Sequence, residues 1–195
     1  MTVRQHVNIE KLEQFRTFLT QNPDKGKLHL EVKAVYEGEA GRSTVHIGRF
    51  GIDDQTYDRE TRRYTIPFGA WKEVEELTGM EGPTDRMEPV EVAMAATAAC
   101  LVNSVTFNAA RLGIDTEGLQ VSIKSDVDPR VLFGLKGPES HQECLGELEY
   151  DVSVSGNITD KDLDTIRELC DLSPVHGLIA KAINTRCNVH RAKLH

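Results

Sequence analysis

The segment from Pro89 to Leu112 constrains this chain more than any other stretch. It carries alanines at 93, 95, 96, 98, 99, 109 and 110 and a cysteine at 100. Proline in the first turn and Gly113 just past the last apolar residue predict one helix over 89–112. Alanine side chains are small enough for another backbone to approach on more than one face. Such a helix belongs in the middle of a domain or a dimer, buried nearly all round. The remaining elements must be arranged about it.

Before it, Ile9, Leu12, Phe15 and Leu19 recur at helical spacing from an Asn8 cap and stop at Asn22-Pro23-Asp24-Lys25-Gly26. Leu28, Leu30, Val32 and Ala34 alternate with polar residues, a Gly38 to Gly41 turn follows, and Val45 and Ile47 alternate again. That pattern predicts a hairpin, with a third strand over 63–68 after a polar connection at 53–61. Residues 69–87 read as an irregular approach to the long helix. After it, strands are predicted over 119–123 and 145–155, and a charged helix from Asp160 to about Cys170. Ser173 can cap a further helix with Pro174 in its first turn, running to about residue 183, and 187–194 reads as a terminal strand. The order of helices and strands predicts an α+β class. One domain over 1–195 is expected, with a helical extension at 1–26, strands over 27–68, the central helix over 88–113, and strands and helices over 118–195.

Composition narrows the function. With a net charge of −8 and scattered Lys and Arg, the chain has no basic stripe to neutralise phosphates, so no nucleic-acid partner is expected. The N-terminus lacks an apolar run of signal-peptide length, and the run 92–102 is short for a bilayer, so no membrane partner and a cytoplasmic location are expected. Cysteines at 100, 144, 170 and 187 are too few and too far apart for a disulfide scaffold. In a reducing compartment they stay thiols unless one is reactive.

By residue type alone, Cys100 in an alanine-rich helix reads first as a small packing group. It lies about ten residues into its helix, beyond the reach of the N-terminal dipole, so its activation needs a nearby cation. Further residues place it in a context. Pro89, Glu91 and the small-residue run to Ala98-Ala99-Cys100 are followed by Ala110-Arg111-Leu112-Gly113-Ile114. Asp128-Pro129-Arg130-Val131-Leu132-Phe133-Gly134-Leu135 follows the next strand, and Ser173-Pro174-Val175 opens the late helix. In this order and at these spacings the chain resembles the OsmC/Ohr family, the osmotically inducible and organic hydroperoxide resistance proteins. The leading helix and Tyr36-Glu37-Gly38-Glu39-Ala40-Gly41-Arg42 resemble the start of its longer OsmC-like members.

The resemblance implies an intertwined homodimer, with two central helices wrapped by antiparallel sheets from both chains and active sites at the interface. It implies reduction of organic or inorganic hydroperoxides by two cysteines, with no metal or organic cofactor and an external dithiol as reductant. A thiolate attacks the O–O bond, becomes a sulfenic acid, and is resolved by a second thiol to a disulfide. Carried over residue by residue, Cys100 matches the peroxidatic cysteine, Arg42 the activating arginine and Glu91 the carboxylate that orients it. An arginine beside the sulfur stabilises the thiolate and polarises the leaving oxygen. If the hairpin register differs, Arg63 takes the place of Arg42.

Two departures stand out. Where the closest Ohr pattern has Glu directly after Pro, this chain has Val90, with Glu91 next. Where active members have Cys-Pro-Val, it has Ser173-Pro174-Val175, and serine cannot resolve a sulfenic acid. Cys170, three residues earlier, is then either a resolving thiol or a buried packing residue. Ser173, His176 and Phe68 are candidate substrate contacts; Trp71, Phe68 and Met87 either line an apolar pocket or plug a dimer core. The pairs His141/Cys144 and Cys187/His190 offer zinc ligand types, but 187 and 190 in a strand face opposite sides, and no metal is expected. Two alternatives to a two-cysteine peroxidase stay open: a one-cysteine redox protein reduced directly by an external thiol, and a non-catalytic small-ligand-binding protein on the same dimeric fold.

Overall fold

The computed structural model describes residues 2–144 and 146–181. A short ribbon, β1 (Val3–Arg4) and β2 (Val7–Asn8), leads into α1 (Ile9–Gln21), whose predicted cap is in place: Asn8 Oδ1 accepts from the Lys11 N–H at 2.9 Å. An antiparallel sheet follows, β3 (Leu28–Tyr36), β4 (Ser43–Ile52), β5 (Gln55–Tyr57) and β6 (Tyr64–Phe68), with β4 pairing all three others. Next come α2 (Lys72–Leu77), α3 (Pro89–Leu112), β7 (Gln120–Lys124), α4 (His141–Cys144), β8 (Glu149–Ser153), α5 (Asp160–Cys170) and α6 (Pro174–Ala180). Strands β7 and β8 form a separate antiparallel pair. The class is α+β, with antiparallel sheets.

Three differences from the sequence reading stand out, the first two with a local cause. The polar connection 53–61 contains β5 and a 3-10 turn (Glu60–Arg62), because Phe50 and Tyr57 stack at 5.1 Å across the β4–β5 pair. The irregular approach 69–87 contains α2, too short and too acidic to show an apolar period. The helix α6 ends at Ala180. The strand predicted over 187–194, with Cys187 and His190, lies outside the described residues.

Helix α3 has the predicted bounds. The Glu88 side chain caps its start, accepting from the Val90 and Glu91 N–H groups at 2.6 and 3.2 Å, and Gly113 closes it at φ 79°, where a side chain would be strained. Arg4 Nη1 donates to the carbonyls of Ala110 and Arg111 at 3.3 and 3.2 Å, so the N-terminal extension satisfies acceptors that the helix end leaves open. Within one chain, however, α3 is not buried all round. Leu101, Val105 and Ala109 join Ile114, Ile166, Leu169 and Cys170 in the core, flanked by Val121, Ile123, Tyr150 and Val152 of β7 and β8. The stripe Ala96, Ala99, Asn103 and Phe107 is exposed. By length and composition α3 could also cross a membrane, more than the run 92–102 indicated, because Asn103, Ser104 and Thr106 interrupt the apolar run without ending the helix. The same profile describes the central helix of a packed core, and α3 carries one.

The N-terminal sheet is amphipathic. Leu28, Leu30, Val32 and Ala34 lie opposite Ile52, Phe50, Ile47 and Val45, and Val45 and Ile47 lie opposite Ile66 and Tyr64. Directly opposed residues share a face, so these side chains form one apolar surface. A register irregularity between Leu30 and Val32 supplies the extra residue in β4 that keeps Phe50 and Ile52 on that face. The opposite face carries Lys33, His46 and Thr65. Within the described chain the β3 part of this face is open, Leu30 being 78% exposed and Val32 61%, while Arg62 lies over the Phe50 ring at 4.8 Å and Val45, Ile47 and Ile66 are half-buried.

Candidate functional site

Cys100 sits near the middle of α3 and is half-buried, with a free thiol. One turn further along, Ser104 Oγ donates to the Leu169 carbonyl at 2.9 Å and ties this side of α3 to α5. Glu91 lies nine residues before Cys100. At about 100° per residue that is half a turn around the helix, on the opposite side. Glu91 instead lines a cavity of about 380 Å³ with Trp71, Val90, Met94, Ile123 and Val127. Of the predicted apolar pocket residues, Trp71 is in this lining, while Phe68 lies on the apolar sheet face and bridges to Met87.

Arg42 follows Gly41, whose φ of 77° closes the β3–β4 turn and directs the next side chain inward. It is 6% exposed, and its carboxylate partner is Glu75, not Glu91. Arg42 Nη2 donates to Glu75 Oε2 at 2.7 Å and Nε to Oε1 at 3.3 Å; Nη2 also donates to the Gly82 carbonyl at 2.8 Å, and Nη1 to Glu39. Glu75, 1% exposed, accepts in addition from the Thr84 N–H at 2.6 Å. The Arg42 guanidinium, seconded by the Thr84 amide, holds the Glu75 carboxyl down to about 2, and the same pairing raises Arg42 above its ordinary value. Thus the β3–β4 turn, α2 and the loop before α3 are joined at one buried ion pair. A second set of contacts adjoins it: Arg86 Nη1 donates to Glu37 at 2.9 Å, and the Gly69 N–H to the Met87 carbonyl at 3.1 Å. Arg63 stands apart, exposed and paired with Asp58 at 3.4 Å.

The late candidates cluster at the α5–α6 corner. Cys170 ends α5 at 3% exposure, and burial, reinforced by the Asp171 charge, pushes its thiol up. Ser173 is buried as the α6 cap, its Oγ accepting from the His176 N–H at 3.3 Å and its own N–H donating to the Cys170 carbonyl at 3.1 Å. The His176 ring meets Tyr150 edge-on, centroids 5.3 Å apart. A serine engaged in this way fills the Cys-Pro-Val position with a structural hydroxyl. Within the described residues of one chain, no hydrogen bond joins Arg42, Glu91 or Arg63 to Cys100. Within one chain the structure thus leaves apart the thiol on α3 and the arginine–glutamate pair at the β3–β4 turn. Glu75 escaped the sequence reading because it stands among Glu73 and Glu76 in a segment without an apolar period.

Comparison with known proteins bears on these parts. Curated proteins give no match. Among solved structures, an OsmC-like protein from Mycoplasma pneumoniae is similar with a TM-score of 0.53 at 14% identity, over 78% of this chain and 88% of that one. Two others are more distant: an OsmC-like protein of unknown function from Vibrio cholerae (TM-score 0.48, 13% identity, 75% of this chain and 90% of that one) and an organic hydroperoxide resistance protein OsmC from Legionella pneumophila (0.46, 14%, 77% and 88%). At these identities the first likeness speaks for the fold alone. The profile of OsmC-like proteins matches residues 82–189, from the loop held by Arg42 through α3 and Cys100 to beyond α6. With more than half of its length matched, this chain belongs to the OsmC family.

Proposed function

We propose that the protein is a thiol-dependent hydroperoxide reductase that works as a homodimer in a reducing compartment such as the cytoplasm, with Cys100 as nucleophile. The observation that carries the reading is the position of Cys100: a free, half-buried thiol in the interior of the alanine-rich helix matched by the family profile. Its thiolate attacks the peroxide O–O bond, giving a sulfenic acid on Cys100 and an alkoxide that leaves as alcohol on taking a proton. A second thiol then attacks that sulfur and releases water, and an external dithiol reduces the resulting disulfide. No cofactor enters this sequence.

Association is supported by exposed area. On β3, Leu28, Leu30 and Val32 are 62%, 78% and 61% exposed, a row of large apolar side chains left in water within one chain. A second copy would cover the apolar sheet face and the exposed stripe of α3 at Ala96, Ala99, Asn103 and Phe107.

A one-cysteine cycle is a second reading, favoured by the burial of Cys170 and by Ser173 in the resolving position. Consumption of cumene hydroperoxide with dithiothreitol tests both. Cys100→Ser is expected to lower turnover at least a hundredfold, and unchanged turnover would overturn the main reading. Cys170→Ser is expected to leave turnover nearly unchanged if the cycle needs one cysteine, and to abolish it if Cys170 resolves.

A further inference from the structure

The chain carries a net charge of −8, yet on the polar face of the N-terminal sheet Lys33, Arg49 and Arg63 converge with His46 on one cavity of about 400 Å³. The local backbone builds it. The extra residue in β4 between Ile47 and Phe50 puts Gly48 and Arg49 together at the cavity. Gly48 admits the 3-10 turn before β6 at close range: a Cβ there would meet the Arg62 carbonyl oxygen at 3.3 Å and Arg63 Cγ at 3.9 Å. Arg63 is thereby brought to the cavity that Lys33 and His46, register partners on β3 and β4, also line.

The charges there do not cancel. Arg49 is paired with Glu31, and Arg63 gives Asp58 one long contact, Nη2 to Oδ1 at 3.4 Å, an exposed pairing that a ligand can displace at little cost. Lys33 makes no ion pair among the described residues. Three permanent cations thus meet two carboxylates, and His46 Nδ1 lies 3.4 Å from Thr65 Oγ1, which leaves Nε2 for a ligand. We propose that this cavity binds a phosphate dianion, free or carried by a small molecule, with Lys33 and Arg63 as its principal ligands. A phosphate can take the Lys33 ammonium and the Arg63 guanidinium together, whereas a carboxylate offers one charge to two cations. Glu31 and Asp58 repel an extended polyanion, so the occupant is small. The site needs neither Cys100 nor the apolar sheet face that a second copy would cover.

The experiment is a phosphorus NMR titration of the full chain at constant ionic strength, with inorganic phosphate and glycerol phosphate as probes and circular dichroism to verify folding. A saturable change is expected in the wild type. Lys33→Gln and Arg63→Gln, both at exposed positions, are each expected to weaken binding about tenfold, the loss of one charge-assisted contact, while Lys11→Gln on α1 leaves it in place. Acetate at the same concentration as the probe is expected not to displace it. Tighter binding of glycerol phosphate than of inorganic phosphate would assign the site to a phosphorylated molecule, and equal binding would assign it to phosphate itself; both support the proposal. Absence of saturable binding, saturable binding that survives unchanged in both folded variants, or displacement by equimolar acetate would each overturn it.

Discussion

The two halves of the described chain bury different kinds of side chain. From α3 onward the interior is chiefly apolar, with Leu101, Val105, Ala109, Ile114, Ile166 and Leu169 in one cluster. Before residue 82 the buried side chains among the described residues are those of Arg42 and Glu75, while the apolar residues of the sheet are exposed on β3 and at most half-buried on β4 and β6. The C-terminal half therefore has a core of its own, and the N-terminal half has a clamp and an uncovered face. An apolar sheet face left in water is unfavourable, and the proposed dimer would cover it. A second copy is the partner our reading assigns.

Two substitutions break that contrast from opposite sides. Val32→Asp puts a carboxylate into the apolar sheet face and is expected to convert the dimer to monomer in light scattering after gel filtration. Leu101→Ala leaves a cavity in the C-terminal core, with an expected loss of about 2–5 kcal/mol in urea denaturation and no change in mass while the chain is folded. A dimer that survives Val32→Asp, or one that dissociates on Leu101→Ala, would reverse the assignment of roles to the two halves.

A smaller effect sharpens the same comparison. The Glu75 carboxyl is held at about 2 in the folded chain against an ordinary 4.5. Because its folded value is depressed, its contribution to stability is full above about pH 4.5 and is lost as the pH falls toward 2. The single tryptophan, Trp71, is the N-cap residue of α2 and reports on this clamp. Acid titration is expected to change Trp71 fluorescence in that window ahead of the helical signal at 222 nm. Asp128, held near 2 by Arg130, titrates there too but lies outside the apolar core. Coincident loss of both signals would mean that the halves unfold as one.

What was legible in the sequence is what local chemistry decides. Asn8, Gly113 and Ser173 mark helix ends because capping involves a few neighbouring residues, and α1 and α3 begin and end where those residues stand. The cap of α5 is outside the sequence reading, which starts the charged helix at Asp160 without a cap: Asp162 accepts from the Thr159 N–H at 3.0 Å in a capping box. The alternation of Leu28, Leu30, Val32 and Ala34 announced the apolar sheet face, but the register irregularity that brings Phe50 onto it depends on pairing between strands. Cys100 was found through its helix. Glu75 was not, because choosing the buried acid among Glu73, Glu75 and Glu76 requires knowing where Arg42 lands, 33 residues away in the chain.

The central claim is that the thiol of Cys100 reacts directly with a hydroperoxide. One equivalent of cumene hydroperoxide added to the reduced protein in the presence of dimedone, followed by peptide mass spectrometry, tests it most directly. The account predicts the sulfenic acid adduct on Cys100 ahead of Cys144, Cys170 and Cys187, and an unmodified Cys100 beside consumed or unconsumed peroxide would contradict it.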